Sequence, residues 1–577
     1  MAVPVYERIL QLFEAEGINT LFGIPDPNFV HMFLAAERRG WTVVAPHHEA
    51  AAGFMAEAAS RMTGKAAVCI ATLGPGIANA APAIQCALVE NSPVIFLAGQ
   101  RARITEQRVR RGRIQFVQQT PLFQNSVKYS ASIEYAEQTD EIIREGIRKA
   151  VSGRPGPVYI EYPSHIITDQ LDVPPALPPE RYRLVNQGAD VDRVAEAAAL
   201  IRAAKNPILL VGHAVHTTRS GAALKELALL MNCPVIQTSG GTSYIKGLED
   251  RTFQYVFSKA SIDAVTESDL CLAIGTELGE PVHFGRWRYW EKNEAIRKWI
   301  YVEQDASAIG VNRPIDVPLV GDLRGVIPQL ITALKDTPRA PAPGLAKFMH
   351  DGQAELDHWG EESLTHTDGH GDVAIHTSRF VVEATKAFPA DGIMIRDGGA
   401  TVVFTWTYSQ AKPHDVIWNQ NFGHIGTGLP YATGAMLADR AATGISRPGM
   451  LLTSDSSFLF HIGELETAVR CKLPLVCVVG VDNQWGLEVG VYKRNIGHGT
   501  EETGTHWSKD VRFDKIGEGF GCHGEYVTKA EDIQPAIERA YASGKVGVVH
   551  VVIDPKANSE EMPKYAEFRT WYAEGQQ

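Results

Sequence analysis

Asp455 and Asn483 carry the clearest chemistry in this sequence. The stretch 451–486, LLTSDSSFLFHIGELETAVRCKLPLVCVVGVDNQWG, reads as a buried apolar strand ending at Asp455, then a helix carrying Glu464 and Glu466. A boundary at Pro474 and a second apolar strand ending at Asp482 and Asn483 complete it. Two adjacent parallel strands joined by a helix would bring Asp455 and Asn483 together. At their carboxyl ends a carboxylate, an amide oxygen and an exposed backbone carbonyl can hold a hard divalent cation, which neutralises a bound diphosphate. An ordinary α/β connection has the same outline. A second carboxylate, Glu49, follows a strand and opens a helix, where unpaired backbone amides stabilise negative charge whether or not a ligand is near.

The elements that must position these groups divide 577 residues into about three domains. In residues 1–165, apolar strands expected at 21–24, 66–71, 94–98 and 158–162 alternate with helices, a doubly wound pattern. The proline-rich run DVPPALPPERY reads as an extended linker. A central domain over 190–340 opens with a helix at 190–202 and a strand at 207–211, and further strands end at 237, 275 and 302 before VPLVGDL closes it. Gly212, Gly275 and Gly321 follow strands, where a dinucleotide could lie over the sheet edge. None completes a GxGxxG string, so a structural Rossmann-like domain is the plainer reading and bound FAD or another nucleotide the alternative. Residues 341–370, rich in Pro, Gly, His and Asp, read as a second linker, and a third domain covers 371–560. The expected fold class is α/β with three doubly wound parallel-sheet domains; the first and third could be copies of one unit, although no repeat is visible.

Composition narrows the setting. The net charge of −12 argues against a nucleic-acid surface. The one basic run, Arg101, Arg103, Arg108, Arg110, Arg111 and Arg113, reads as a solvated face or as a rim for acidic substrates. Seven cysteines lie mostly in apolar runs without metal-ligand spacing, as expected of thiols in a reducing compartment. The first residues show no leader and no run reaches membrane-spanning length, so a soluble cytoplasmic protein with no membrane or nucleic-acid partner is expected.

The stretch around Asp455 resembles the metal and diphosphate motif of thiamine-diphosphate enzymes of the acetolactate synthase, 2-oxo acid decarboxylase and benzaldehyde lyase type. There the usual form is Gly-Asp-Gly followed some 25 residues later by paired asparagines; here Ser454-Asp455-Ser456 and Asp482-Asn483 keep the two ligating side chains. The resemblance implies magnesium held by the Asp455 and Asn483 side chains and the Trp485 carbonyl, with Ser456 and Ser457 beside the cofactor. It extends over nearly the whole chain, as pyrimidine-binding, central and diphosphate-binding domains in that order.

Further motifs follow from it. PHHEAAAG at 46–53 resembles the segment holding the family's activating glutamate, which implies that Glu49 hydrogen-bonds the aminopyrimidine ring nitrogen and stabilises the imino tautomer whose nitrogen removes the C2 proton. TLGPGIAN at 72–79 resembles the TSGPG…N loop, with Thr72, Gly74 and Asn79 near the cofactor; Asn79 could equally begin a helix. NFGHIGTGLP at 421–430 resembles the segment beneath the cofactor's bend, with Ile425 in the place of the family's large apolar residue. Gly398 and Gly399 fall where relatives present backbone to the cofactor. In the loop GIPDPNF at 23–29, Asp26 resembles the acidic residue that in some decarboxylases delivers a proton. Thr72 stands where benzoylformate decarboxylases have a histidine, and the histidine pair of pyruvate decarboxylases is missing, so His48 and His283 are the remaining candidate imidazoles. QFVQ at 115–118 is similar to the FQE segment of acetolactate synthases, so Gln115 is a candidate contact for bound intermediate.

The resemblance implies a homodimer at minimum, commonly a homotetramer, because in this family the glutamate of one chain faces the diphosphate domain of another. The activity expected is a thiamine-diphosphate- and magnesium-dependent carboligase or lyase acting on 2-oxo acids or 2-hydroxy ketones. A simple 2-oxo acid decarboxylase releasing an aldehyde is the alternative. From other classes, a nucleotide-dependent oxidoreductase would need a fingerprint the central domain does not complete, and a non-catalytic binding protein would have no need to keep Glu49 with Asp455 and Asn483.

Overall fold

A computed structural model describes residues 2–106, 108–109, 111–366, 375–497 and 502–567. Arg110 of the basic run, and residues 367–374 where the expected second linker meets the third domain, lie outside them. Three six-stranded parallel sheets carry the chain. In chain order the first contains Thr20–Gly23, Thr42–Val44, Ala67–Ala71, Val94–Gln100, Tyr129–Ser132 and Val158–Pro163, arranged 2-1-3-4-6-5. The second contains Pro207–Val211, Val235–Gln237, Thr252–Gln254, Leu270–Ile274, Lys298–Glu303 and Val317–Val320, arranged 3-2-1-4-5-6. The third contains Ile393–Arg396, Asp415–Ile417, Gly449–Ser454, Leu475–Val481, His523–Val527 and Gly547–Val552, arranged 2-1-3-4-6-5 like the first. Central strands such as PILLV and LVCVVGV are buried at every residue, the apolar reading of parallel strands covered on both faces. The shared order of the first and third sheets is the internal similarity that the sequence alone does not display.

The chain forms two compact units. One comprises Met1–Val185, Asn419–Arg447 and His461–Leu473. Its centre is the helix Glu49–Thr63, in which every residue but Thr63 is buried and Gly64 closes the end at φ +72°. The helix Gly428–Thr443 lies along it, and the approach is so close that a Cβ on Gly434 would overlap the Met55 backbone. In this unit Arg103 pairs with Glu134, Arg101 donates to the Ile114 carbonyl, and the Arg113 guanidinium covers the Phe116 ring.

The second unit comprises Asn186–Trp418, Pro448–Phe460 and Pro474–Gln577 and holds the second and third sheets. Its central-domain glycines are explained by packing: a Cβ on Gly212 would overlap the Gly275 carbonyl oxygen, and one on Gly321 would lie 2.8 Å from the Gln187 carbonyl oxygen. The expected linker over 341–370 is instead mostly the helix Leu345–Thr365. Past Pro343 the run is rich in good helix formers, and its apolar side seats Phe348, Met349 and Trp359 against the core, with Trp359 edge-on to Tyr408. The polar composition belongs to its exposed side. All seven cysteines are free, six of them buried. Among the described residues no helix is long and apolar enough to cross a membrane.

Candidate active site

In the second unit the strands ending at Ser454 and Val481 are parallel neighbours, with Ser454 opposite Gly480. Asp455 leaves the first strand fully buried and opens the short helix Asp455–Phe458. Its Oδ1 accepts the Ser456 N–H and its Oδ2 accepts the Asn483 N–H, each at 2.8 Å. Ser454 is extended (φ −103°) and Ser456 has no positive φ, so this turn works without the flanking glycines of the usual motif. Asn483 occupies the left-handed region at φ +57°, which asparagine tolerates, and its Oδ1 is buried with no hydrogen-bond partner among the described residues. Trp485 caps the helix Gly486–Asn495; its carbonyl accepts the Val489 N–H at 2.9 Å and keeps one lone pair.

The glycine pair stands beside them. Gly398, at φ +103°, follows the adjacent strand Ile393–Arg396, and a Cβ there would lie 2.6 Å from Ser454 Oγ and 3.1 Å from Ser457 Oγ. Ser457 Oγ is itself buried and has no hydrogen-bond partner among the described residues. Gly399 caps the helix Ala400–Tyr408, where a side chain would meet Leu487 at 2.8 Å. One neighbour was not anticipated as part of the site: the buried carboxylate of Asp482, held by Asn558 Nδ2 at 2.8 Å and Gln484 Nε2 at 3.3 Å. Burial, reinforced by Asp482, pushes the Asp455 carboxyl well above the ordinary range, and burial pushes Asp482 up to about 6. Two carboxyl groups sharing a buried site, beside an amide oxygen and a hydroxyl without partners, form a setting that a divalent cation with a diphosphate fits. Among the described residues no group of three or more His, Cys, Asp or Glu side chains could hold a metal ion, here or elsewhere, so a cation at this place would depend on the Asn483 amide oxygen and a backbone carbonyl as well.

In the first unit Glu49 is buried at the start of its helix, and Asn79 Nδ2 donates to its Oε2 at 3.0 Å. Asn79 ends the short helix Pro75–Asn79 rather than beginning one. A Cβ on Gly76 would overlap the Thr72 methyl and come within 3.2 Å of Glu49 Oε1, so that glycine admits both side chains. Gly74, at φ +65°, presses against the Gln115 carbonyl and donates its N–H to Gln119 Oε1 at 2.7 Å. Buried Gln119, absent from the sequence reading, anchors this loop to Gly99 and Tyr159; Gln115 contributes backbone there and its side chain is exposed. Thr72 donates to Asp26 Oδ2, and the Asn28 N–H donates to Asp26 Oδ1 at 2.7 Å.

His48 is the N-cap of the Glu49 helix, its Nδ1 accepting the Ala50 N–H at 3.1 Å. The preceding loop is tied down by Glu464, which accepts the His47 N–H at 2.9 Å, and by Arg470, which donates to the Ala45 carbonyl at 2.6 Å. His48 meets His461 edge to face, and His461 Nδ1 donates to the Gly426 carbonyl at 2.7 Å, next to half-buried Ile425. His283 is elsewhere: it is buried in an aromatic cluster with Tyr255, Tyr289 and Trp290, hydrogen-bonded to the Tyr255 hydroxyl at 2.9 Å and held down to about 4 by burial. Thus Glu49, Thr72, Gly74, Asn79 and Asp26 come together in one unit, and Asp455, Ser456, Ser457, Asn483, Trp485 and Gly398 in the other.

Three family models match the chain: the N-terminal TPP binding domain of thiamine pyrophosphate enzymes at residues 4–126, the central domain at 194–330 and the C-terminal TPP binding domain at 397–551. A probable acetolactate synthase large subunit of Methanocaldococcus jannaschii is 27% identical over 570 residues, covering 95% of this chain and 92% of that protein. The 2-hydroxyacyl-CoA lyase of Arabidopsis thaliana is 25% identical over 571 residues, covering 94% of each. The sulfoacetaldehyde acetyltransferase of Alcaligenes xylosoxydans is 25% identical over 586 residues, covering 95% of this chain and 92% of that protein.

Proposed function

Because the chain belongs to the thiamine pyrophosphate enzymes, we propose that it is a thiamine-diphosphate- and magnesium-dependent carboligase or lyase that forms or cleaves a carbon–carbon bond beside a carbonyl. Its substrates in this reading are 2-oxo acids or 2-hydroxy ketones. The names of its relatives, an acetolactate synthase, a 2-hydroxyacyl-CoA lyase and a sulfoacetaldehyde acetyltransferase, support such chemistry over oxidoreduction. The central-domain glycines that suggested a nucleotide are accounted for by chain packing.

When bound, the cofactor supplies a carbon nucleophile and delocalises the charge left beside a carbonyl. The chain's own groups would do the rest. Asp455, Asn483 Oδ1 and the Trp485 carbonyl would hold magnesium, with Ser456, Ser457 and the backbone at Gly398 and Gly399 at the diphosphate. Glu49, oriented by Asn79, would exchange a proton with the pyrimidine ring nitrogen, shielded from water by its burial. Ile425 would pack against the cofactor and help fix its orientation. A homodimer at minimum is part of the proposal; Leu459 and Phe460, just past the Asp455 helix, are exposed apolar side chains that suit an interface.

Between ligation and plain decarboxylation, the observation that supports ligation is the bonding of Asp26. A dedicated decarboxylase needs an acid over its substrate. Here both carboxylate oxygens of Asp26 accept hydrogen bonds, from Thr72 and from the Asn28 N–H, which is the part of an acceptor. Without a proton donor at this position, capture by a second carbonyl would be favoured over protonation. The test is a panel of aliphatic and aromatic 2-oxo acids, with and without an added aldehyde, analysed by mass spectrometry. Hydroxy ketones in amounts comparable to free aldehyde are expected. Aldehyde alone, lost in Asp26→Ala, would make the protein a decarboxylase with Asp26 as its proton donor.

A further inference from the structure

A cavity of about 380 Å³ opens in the second unit between the residues around Thr252–Gln254, the helix Leu345–Thr365 and the helix Ala400–Tyr408. None of the groups assigned above to the cofactor lines it. Its apolar walls are Phe253, Phe257, Met349, Leu356, Trp359 and Trp406. Arg396, the last residue of its strand, also lines it, is 5% exposed, and its Nε is buried with no hydrogen-bond partner among the described residues. A guanidinium sunk among apolar walls with a buried donor unpaired is costly for a fold to keep. Burial lowers Arg396 only to about 10, which leaves it a cation at neutral pH.

Three more buried donors on the same walls lack partners: Gln254 Nε2, Trp359 Nε1 and Thr407 Oγ. The carboxylates at the cavity are already engaged or outside. Glu249 is held by His414 at 2.8 Å, Glu355 by Ser258 at 2.8 Å, and Asp250 is 61% exposed. A cation and unpaired donors, set in aromatic walls with the neighbouring carboxylates engaged or exposed, select an acceptor-rich head on an apolar body.

We propose that this cavity binds a small organic carboxylate with an apolar, ring-sized body, its carboxylate paired with Arg396 and its ring between Phe253, Phe257 and Trp359. The site is separate from that of the cofactor, although Arg396 precedes Gly398 by only two residues.

Benzoate is the probe and benzamide its neutral counterpart, each titrated into full-length protein saturated with thiamine diphosphate and magnesium, and followed by tryptophan fluorescence and calorimetry. Saturable benzoate binding is expected, with benzamide at least about tenfold weaker, the scale of losing one charge-assisted hydrogen-bonded pair. Arg396→Met should weaken benzoate by about tenfold or more while leaving the melting temperature of the ligand-free protein unchanged or higher, because an uncompensated buried charge has been removed. A purely structural arginine would instead lower it. If Arg396→Met does not fold, Gln254→Leu and Thr407→Val decide, each weakening benzoate a few-fold. The proposal is overturned by the absence of saturable benzoate binding, by benzamide binding as well as benzoate, by benzoate binding only to cofactor-free protein and leaving when thiamine diphosphate is added, or by folded variants that keep full benzoate affinity.

Discussion

Asn483 Oδ1 and Ser457 Oγ each sit buried without a partner, an arrangement that typically costs about 1–3 kcal/mol per group unless something binds there. The metal role assigned to Asn483 therefore makes a two-sided prediction. Asn483→Ala should hold or raise the melting temperature of the cofactor-free protein while lowering its affinity for thiamine diphosphate at least about tenfold. Asp455→Ala should abolish that affinity, since a diphosphate left without its cation in a buried cleft is costly. Calorimetry with and without a chelator reads both, and equal cofactor binding in the two conditions would remove the cation from the site. Glu49 is tested at a different step. Glu49→Gln retains an oxygen for Asn79 and should leave cofactor affinity within a few-fold, but slow exchange of the thiazolium C2 proton by about 10²-fold or more. Proton NMR after a pulse in deuterium oxide measures that without any substrate, and an unchanged rate would take Glu49 out of the mechanism.

At the scale of elements, the helices Glu49–Thr63 and Gly428–Thr443 enclose a buried ionic cluster in which the Tyr431 hydroxyl donates to Glu57 at 2.9 Å and Arg61 approaches Glu57 at 3.7 Å. Glu90 belongs to it and anchors the segment bearing Ile425 by accepting the Asn421 and Phe422 N–H groups at 2.6 and 2.9 Å. Burial pushes the Glu90 carboxyl up to about 7, against an ordinary value near 4.5. The folded chain thus keeps a proton that the unfolded chain has released; that stabilisation is complete below about pH 4.5 and is lost as pH rises through 7. Glu90→Gln keeps an acceptor for both amides and removes the charge. It should match the parent near pH 5 and melt higher at pH 8, with on the order of 3 kcal/mol at stake for a shift of this size. A lower melting temperature at pH 8 would show that the ionised group is needed by Arg61.

These same elements show what could be read in advance. The strands flanking Asp455 and Asn483 announced themselves because both are long, apolar and bounded, and adjacency followed from the short helical connection between them. The strands Thr42–Val44 and Thr252–Gln254 escaped notice because three residues at a sheet edge carry too little periodicity. The helix Leu345–Thr365 was hidden by the polar side it turns to water. Gln119 and Glu464 in one unit and Asp482 in the other hold their clusters through partners 45, 417 and 76 positions away, a distance over which no local pattern speaks.

For the whole molecule the proposed dimer has a sharp test. If each site draws Glu49 from one chain and Asp455 from another, the inactive variants Glu49→Gln and Asp455→Ala should complement when dissociated, mixed and reassociated. Random pairing would restore about a quarter of the parent activity, since half the dimers carry one intact site. No recovery, with mixed dimers demonstrated by native mass spectrometry, would place both groups of a site on one chain. A final consequence concerns synthesis. The helix Glu49–Thr63 is enclosed on nearly every side, yet Gly428–Thr443, which lies along it, is made much later. After Thr63 is joined, roughly 380 residues remain to be added before that cover exists, a wait of about 20–80 s at typical elongation rates. Throughout it the nascent N-terminal domain presents an alanine-rich, apolar flank with nothing of its own to lay against it, so expression at lower temperature or with added chaperone should raise the soluble yield more than any single stabilising substitution.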